Sequence, residues 1–425
     1  MDPERRQLVI VGAGPAGLAA AAQAQANGLD SVLLERADHL ADTIFCYQKR
    51  KHVMAEPAQI PARSGVPFSA GSREALLAAW TRHAEDARLN VRLRTELLGL
   101  ERGGAGFLVR TTNGDLEAER VVLAIGTQGT PRGLGAPGED LPHVAKRLVD
   151  PDDFVDRAIV VVGAGDSALE VALALCERNR VFLVVRRPEI VRAKEALTKD
   201  LARREASGQL EVLYGTTVRR ILPAAIELKG AQQDSTLQCD QVFLKIGTLL
   251  PRALIEGFGV EFAAPEDDAR PVLTGSYECS VPGLYLIGAV TGRDLIRLCM
   301  NQGFEVVEHI LGRPVEPADE EVLKRRLPFW EGTVQQRILS LMDEVPLIGA
   351  AAVRAAPAAA GSAGGERPLR REPAAEQLRE HLLAAEPRTF QRGEVILRQD
   401  EYTQSVMLLV DGAVEVVRRE GSGEE

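Results

Sequence analysis

The sequence predicts an α/β protein with two Rossmann-like three-layer units and a short β-rich segment at its C-terminal end. Residues 8–36, LVIVGAGPAGLAAAAQAQANGLDSVLLER, and 159–187, IVVVGAGDSALEVALALCERNRVFLVVRR, each run as apolar strand, glycine turn, helix and second strand. Two further stretches, LEAERVVLAIGT (116–127) and LQCDQVFLKIGT (237–248), resemble each other as well, each an apolar strand closing on Gly-Thr. The repetition is therefore of half-domains, not of one turn. The third observation is FQRGEVILRQDEYTQSVMLLVDGAVEVV near the end, where alternating strands are broken at Arg392-Gly393 and Asp411-Gly412.

Composition narrows the function classes. The chain has 425 residues, 45% hydrophobic and 26% charged, enough for two or three domains with cores of their own. No apolar run approaches the roughly 20 residues that span a bilayer, and the first residues include Asp2, Glu4, Arg5 and Arg6 instead of a signal peptide. Cys46, Cys176, Cys239, Cys279 and Cys299 are odd in number and never form a CxxC or metal-ligand pattern, so a reducing cytoplasm is expected and no metal site. A formal net charge of -10 argues against nucleic acid or an anionic membrane as partner.

The first turn, Gly12-Ala13-Gly14-Pro15-Ala16-Gly17, follows strand residues 8–11 and opens an alanine-rich helix. Its first glycine makes the tight turn, its second lets backbone approach a pyrophosphate, and its third lets helix pack on strand. The helix N-terminus offers free N–H groups and partial positive charge to phosphates. Glu35, followed by Arg36, stands 18 residues beyond Gly17, where a carboxylate binds ribose hydroxyls and repels a 2′-phosphate. That suits FAD or NAD.

The second turn, Gly163-Ala164-Gly165-Asp166-Ser167-Ala168, is read with Ser167 in place of the third glycine. Its second strand ends in Arg186-Arg187, with Arg192 five residues on. Guanidinium groups grip phosphate bidentately, and arginine in place of the ribose-binding acid accommodates the 2′-phosphate of NADP. Opposite charges at matching places thus separate two cofactors, FAD in the first fold and NADPH in the second.

Residues 281–312, VPGLYLIGAVTGRDLIRLCMNQGFEVVEHILG, read as a strand, a glycine turn and a helix. The helix is expected to begin at CMNQ, with Met300, Asn301 and Gln302 at an N-terminus facing the flavin, where its dipole favours the anionic reduced form. Residues 313–345 are charged and helical, and 346–372, rich in Ala, Pro and Gly, read as a linker.

The order GAGPAG, AIGT, GAGDSA, VRR with a following Arg192-Ala193, IGT and a terminal glycine motif resembles the low-molecular-weight thioredoxin reductase group of pyridine nucleotide-disulfide oxidoreductases over roughly residues 5 to 312. The resemblance implies a discontinuous FAD domain (1–145 and 271–345) with an NADPH domain (146–270) inserted, hydride transfer from NADPH to flavin, and a homodimer. It places Gly12, Gly14, Gly17, Glu35, Gly126, Thr127, Gly288 and Ala289 at FAD, and Gly163, Gly165, Asp166, Ser167, Arg186, Arg187, Arg192 and Gly247 at NADPH. Residues 390–417 resemble the opening strands of a cyclic nucleotide-binding domain, so 373–425 read as part of one, stopping before its phosphate-binding cassette.

The chain departs from that family in two places. LPHVAKRLVDPDDFVDR (141–157) stands where the dithiol is expected and holds no cysteine, and the cysteine found inside the first glycine motif of bacillithiol-disulfide reductases is here Ala16. The family's Gly-Asp, whose aspartate bonds the flavin's ribityl chain, is Gly288-Ala289, a loss of about 1.5 to 3 kcal/mol of FAD binding. Cys46 and Cys299 remain as candidate thiols, with small apolar fillers as the plainer reading. His52, in CYQKRKHVM, belongs to a basic loop that covers the flavin, steers a partner or is simply solvated. The expected acceptor is a redox protein of the ferredoxin or flavodoxin type; the alternatives are a single-cysteine disulfide reductase and a flavin and NADPH redox sensor. A flavin monooxygenase ranks third, because ERADHLADTIFCYQ lacks the Gly-Gly-x-Trp run.

Overall fold

The computed structural model describes residues 3–104, 106–129, 131–191, 193–230, 233–265 and 269–326. Arg192, the linker at 346–372 and the β-rich segment at 373–425 lie outside the described residues. Two sheets with parallel centres organise the rest, the first carrying Gly106–Thr111 and Leu97–Gly103 antiparallel at one edge, and the fold is α/β with two Rossmann-type units.

In the first sheet the strand Glu4–Val11 lies between Ser31–Leu34 and Leu116–Leu123, all parallel. Leu284–Leu286 then joins alongside residues 121–123, so a strand from far down the chain completes the sheet. Side chains alternate along these strands because the pleat has a period of two. Leu8, Ile10, Leu33 and Val122 face one core and Val9, Val11, Val32, Leu34, Val121 and Leu123 face the other, all buried. Burial on both faces is what a parallel sheet covered on both sides requires, and each such side chain contributes roughly 1.5–3 kcal/mol.

The second sheet sets Ala158–Val162 between Arg180–Val184 and Gln241–Leu244, also parallel. One face packs on the helices Asp166–Leu175 and Glu195–Ala206, the other on an antiparallel sheet of Thr217–Leu222, Ala225–Lys229 and Asp234–Gln238. These are the three layers expected. The short strand Val144–Ala145 pairs with the second sheet, whereas Ile255 and Val260 pack in the core under the first. The chain crosses between the sheets where Pro131 bridges Thr248, ahead of residues 146 and 270.

The alanines of the helix Pro15–Ala26 have a packing cause. This helix is wedged between the first sheet and the helix Ile296–Ile310, and Ala16, Ala19, Ala20, Ala21 and Ala24 are buried. A Cβ on Gly303 would lie 2.2 Å from the Ala16 carbonyl oxygen, so the two helices meet backbone to backbone at that glycine. Nothing larger fits there.

Candidate active site

Gly12 has φ +101°, and a Cβ there would stand 2.5 Å from the Ala124 carbonyl oxygen. Gly17 is tighter still, its Cβ position being 1.9 Å from the Gly12 carbonyl oxygen. Gly14 differs from both, because nothing lies within 4 Å of where its Cβ would be. Gly12 and Gly17 are glycine for packing, whereas Gly14 leaves open space at a helix N-terminus, where a pyrophosphate approaches backbone. Glu35 is buried, one carboxylate oxygen accepting from the Ala13 N–H at 2.8 Å and the other from the Ala37 N–H at 2.9 Å. Each oxygen keeps a further lone pair, so the carboxylate is fixed and still able to accept two ribose hydroxyls. These residues fit a dinucleotide such as FAD. Pro15 opens the helix, Arg36 is exposed beside Gly129, and Gly126 and Thr127 follow the sheet's central strand, Gly126 at φ +61°.

At the second turn Gly163 has φ +141°, with the Lys245 carbonyl oxygen 2.2 Å from its Cβ position, and Gly165 is open as Gly14 is. The third-glycine position belongs to Ala168 and not to Ser167: Ala168 is buried with its Cβ facing Gly163, whereas Ser167 is exposed at the helix start. Five residues separate the first and third positions of the turn, and counting from Gly163 reaches Ala168. The slightly wider strand-to-helix gap takes one methyl group. Asp166 accepts from the Lys194 N–H at 2.8 Å, tying the turn to the stretch after the second strand. Arg186 is exposed and Arg187 partly so, and among the described residues neither forms an ion pair. Gly247 has φ +92° and its carbonyl accepts from the Arg132 N–H, at the crossing between the sheets.

Gly288, with φ +80°, is the third glycine element, its Cβ position 3.1 Å from the Ala16 Cβ and 3.9 Å from the Cys299 sulfur. The following helix starts at Ile296, a full turn before Met300. Leu295 caps it in extended conformation, and no proline or glycine interrupts residues 296–302 to delay helix formation. Met300, Asn301 and Gln302 are therefore interior and buried, not at a free N-terminus. Gln302 Oε1 accepts from the Gly288 N–H at 2.7 Å and fixes that turn. Asn301 accepts from the Arg63 N–H at 3.0 Å and donates to the Pro61 carbonyl at 2.9 Å, pinning that distant loop to the helix. Ala289 offers no polar group where the aspartate is expected.

The thiols are not poised for chemistry. Cys299 is buried, donates to the Arg293 carbonyl at 3.2 Å, and burial, with Asp294 adding, pushes it up to about 12. Cys46 is half-buried between Asp42 and Arg147, and burial followed by Asp42 raises it despite the guanidinium 2.8 Å away. All five cysteines are free, and every one is raised by burial.

Four residues enter that the sequence did not single out. Tyr47 packs in the core that holds Cys299, and burial pushes its phenol up to about 12, with Glu170 and Asp294 adding. Arg63 gathers Glu305 at 3.0 Å, Glu321 at 3.3 Å and the Glu316 carbonyl, clamping the helix Ala318–Arg326 against the helix Ile296–Ile310. Gly303 and Lys194 act as described above. Only Gly303 left a signal, a lone glycine within an apolar helical run. The basic loop is also explained: Lys51 meets Glu170 at 2.7 Å, Lys49 donates to Asp150, Arg50 to Asp152, and the Lys49 N–H meets the Val149 carbonyl at 2.9 Å. His52 is exposed, in the two-residue strand His52–Val53.

Two parallel-sheet nucleotide units with open second glycines define a dinucleotide-dependent flavoprotein oxidoreductase. The chain belongs to the pyridine nucleotide-disulphide oxidoreductase family, whose pattern it matches over residues 9–288, and its cofactors are FAD and NADPH. It is 30% identical over 189 residues to the ferredoxin–NADP reductase of Ignicoccus hospitalis, covering 44% of this chain and 58% of that relative's length. To the ferredoxin–NADP reductase of Thermus thermophilus it is 28% identical over 302 residues, 68% of this chain and 86% of that one. Bacillithiol disulfide reductase Bdr from Staphylococcus aureus shares the fold with a TM-score of 0.68 at 20% identity, over 73% of this chain and 99% of that one.

Proposed function

We propose that this protein is an NADPH-dependent flavoprotein reductase that passes electrons to an external redox protein, with FAD at the first turn and NADPH at the second. The observation that carries the reading is the contrast between buried Glu35 and outward Arg186 and Arg187 at equivalent strand ends. The first suits ribose hydroxyls and the second a 2′-phosphate. Bound FAD would supply the redox chemistry, the acceptance of a hydride and the release of its electrons to the acceptor. The chain's part is to hold and orient: Gly12, Gly14, Pro15, Ala16, Gly17, Glu35, Arg36, Gly126, Thr127, Gly288, Ala289 and Gln302 border the FAD position, Asn301 holding the loop beside it. Gly163, Gly165, Asp166, Arg186, Arg187 and Gly247 border NADPH, with Ser167 at its helix start and Arg192 five residues past Arg187.

The fates of the thiols favour a redox protein over a disulfide as acceptor, since Cys299 is protonated throughout the neutral range and Cys46 is raised as well. The finer parts of the reading are a homodimer, a cytoplasmic location in keeping with five unpaired thiols, and a cyclic nucleotide-binding kind of segment at 373–425. The test is anaerobic addition of NADPH to the purified yellow protein. Rapid loss of the flavin's visible band, followed by sustained turnover with a ferredoxin or flavodoxin, is the expected result. Bound cofactors without turnover on any acceptor would instead favour a sensor.

A further inference from the structure

The order of strands in the first sheet fixes which way a dinucleotide lies on it. Glu35 ends the strand Ser31–Leu34, the first glycine turn ends its neighbour Glu4–Val11, and Leu116–Leu123 and Leu284–Leu286 follow in that direction across the sheet. With ribose at Glu35 and pyrophosphate at Gly14, the flavin half has to extend over the ends of the last two strands, where Gly126 and Gly288 stand. The Gly288 turn touches the first turn there, its Cβ position lying 3.1 Å from the Ala16 Cβ. The sugar-alcohol chain of that half carries hydroxyl groups, and they need acceptors.

The residues after Gly288 fold back around one sulfur. The Cβ position of Gly288 is 3.9 Å from the Cys299 sulfur, and the Arg293 carbonyl accepts from the same thiol at 3.2 Å. In between, the Gly292 N–H meets the Ala289 carbonyl at 3.0 Å and the Thr291 hydroxyl meets the Gly288 carbonyl at 2.8 Å. Asp294, next to Arg293, is thereby brought back near Gly288. Its charge reaches the same side: burial and then Asp294 raise the Cys299 thiol, and burial, Glu170 and then Asp294 raise the Tyr47 phenol, both in the core that holds Ala13 and Ala16.

The other polar side chains of residues 288–302 are committed to protein. Gln302 takes the Gly288 N–H, Asn301 bridges Arg63 and Pro61, Arg293 meets Asp319 at 3.1 Å, and Arg297 donates to the Ala55 carbonyl at 3.1 Å. Thr291 and Cys299 are spent within the turn. Asp294 alone is exposed and, among the described residues, has neither a hydrogen bond nor an ion pair. It does not cap the adjoining helix, since no side chain accepts from that helix's first N–H groups.

We propose that Asp294 is the acceptor for the ribityl hydroxyls of FAD, the counterpart at the flavin half of Glu35 at the adenosine half. The inference rests on the placing of FAD at the first turn. A carboxylate offers acceptors only, and its bonds to hydroxyls are charge-assisted. Glu35 is fastened in advance by two backbone N–H groups, whereas Asp294 is fastened by the cofactor.

The test follows release of FAD from the purified yellow full chain on dilution, read as a gain of flavin fluorescence. Asp294→Ala raises the dissociation constant at least about tenfold, and Asp294→Asn, whose amide keeps an acceptor oxygen, raises it less. The FAD-free forms unfold at the wild-type temperature, because Asp294 has no protein hydrogen bond to lose. Ala289→Asp added to Asp294→Ala recovers affinity by returning an acid to the same turn. Wild-type affinity in Asp294→Ala overturns the assignment and leaves FAD at the first turn intact. Weakened binding that Ala289→Asp does not recover also overturns it, reducing Asp294 to a support for the turn. A wild-type chain that takes up no FAD overturns both readings.

Discussion

The two glycine turns share a backbone and differ in what surrounds it. The first is closed: Gly17 is in near contact with Gly12, Glu35 is locked by two backbone N–H groups, and the helix Ile296–Ile310 presses on its helix at Gly303. The second is relaxed, accepting Ala168 where the first demands glycine and leaving Arg186 in solvent. Close packing suits a cofactor held between turnovers, and an open rim suits one that arrives and leaves with every cycle. One backbone geometry thus serves retention and exchange according to its neighbours.

The largest effect expected separates two glycines of the first turn. Gly17→Val drives a side chain into the Gly12 carbonyl, so folded protein is lost; at Gly14 a Cβ meets no atom within 4 Å, and Gly14→Val yields folded, colourless protein. Thermal unfolding with the flavin-to-protein absorbance ratio checks both. A colourless but stable Gly17→Val would erase the distinction between packing and ligand glycines.

At the second turn, Arg186→Glu with Arg187→Ser is expected to raise the KM for NADPH about 100-fold, from the loss of charge-assisted hydrogen bonds of ~1.5–3 kcal/mol, while the KM for NADH changes little. Equal changes for the two nucleotides would remove the 2′-phosphate from Arg186 and Arg187.

The smallest effect concerns the thiol beside Gly288. With Cys299 at about 12, roughly one thiol in ten thousand is ionised at pH 8. Because the shift is upward, the thiolate stays scarce from pH 6 to 9, and Cys299→Ser is expected to leave turnover with a protein acceptor unaltered. Mass spectrometry after iodoacetamide treatment of native protein reports Cys299 unlabelled over that range. Fast labelling that climbs through pH 7 would revive the single-thiol mechanism.

Local rules made both turns legible. Strand, glycine spacing and the terminal acid or base lie within some thirty residues, where chain geometry alone sets the outcome. The residue that faces Gly163 is legible too, because the five-position spacing from Gly12 to Gly17 leads from Gly163 to Ala168 and not to Ser167, and the burial of Ala168 agrees. The helix start at Ile296 carries no sequence signal, because no capping side chain marks it. Arg63 drawing Asn301, Glu305 and Glu321 together, and Lys49, Arg50 and Lys51 reaching acids about a hundred residues away, are long-range pairings for which no sequence period exists.

The bridge between Pro131 and Thr248 has a consequence for how such a chain arises and can be rebuilt. Everything between those two residues leaves and returns through one doorway, so its ends already touch. Such a segment can be cut out and the remainder rejoined by a short splice, or exchanged for another reader of nucleotides, without stretching the sheet it departs from. The gene is then a cassette within a cassette, and its reductant is a replaceable part.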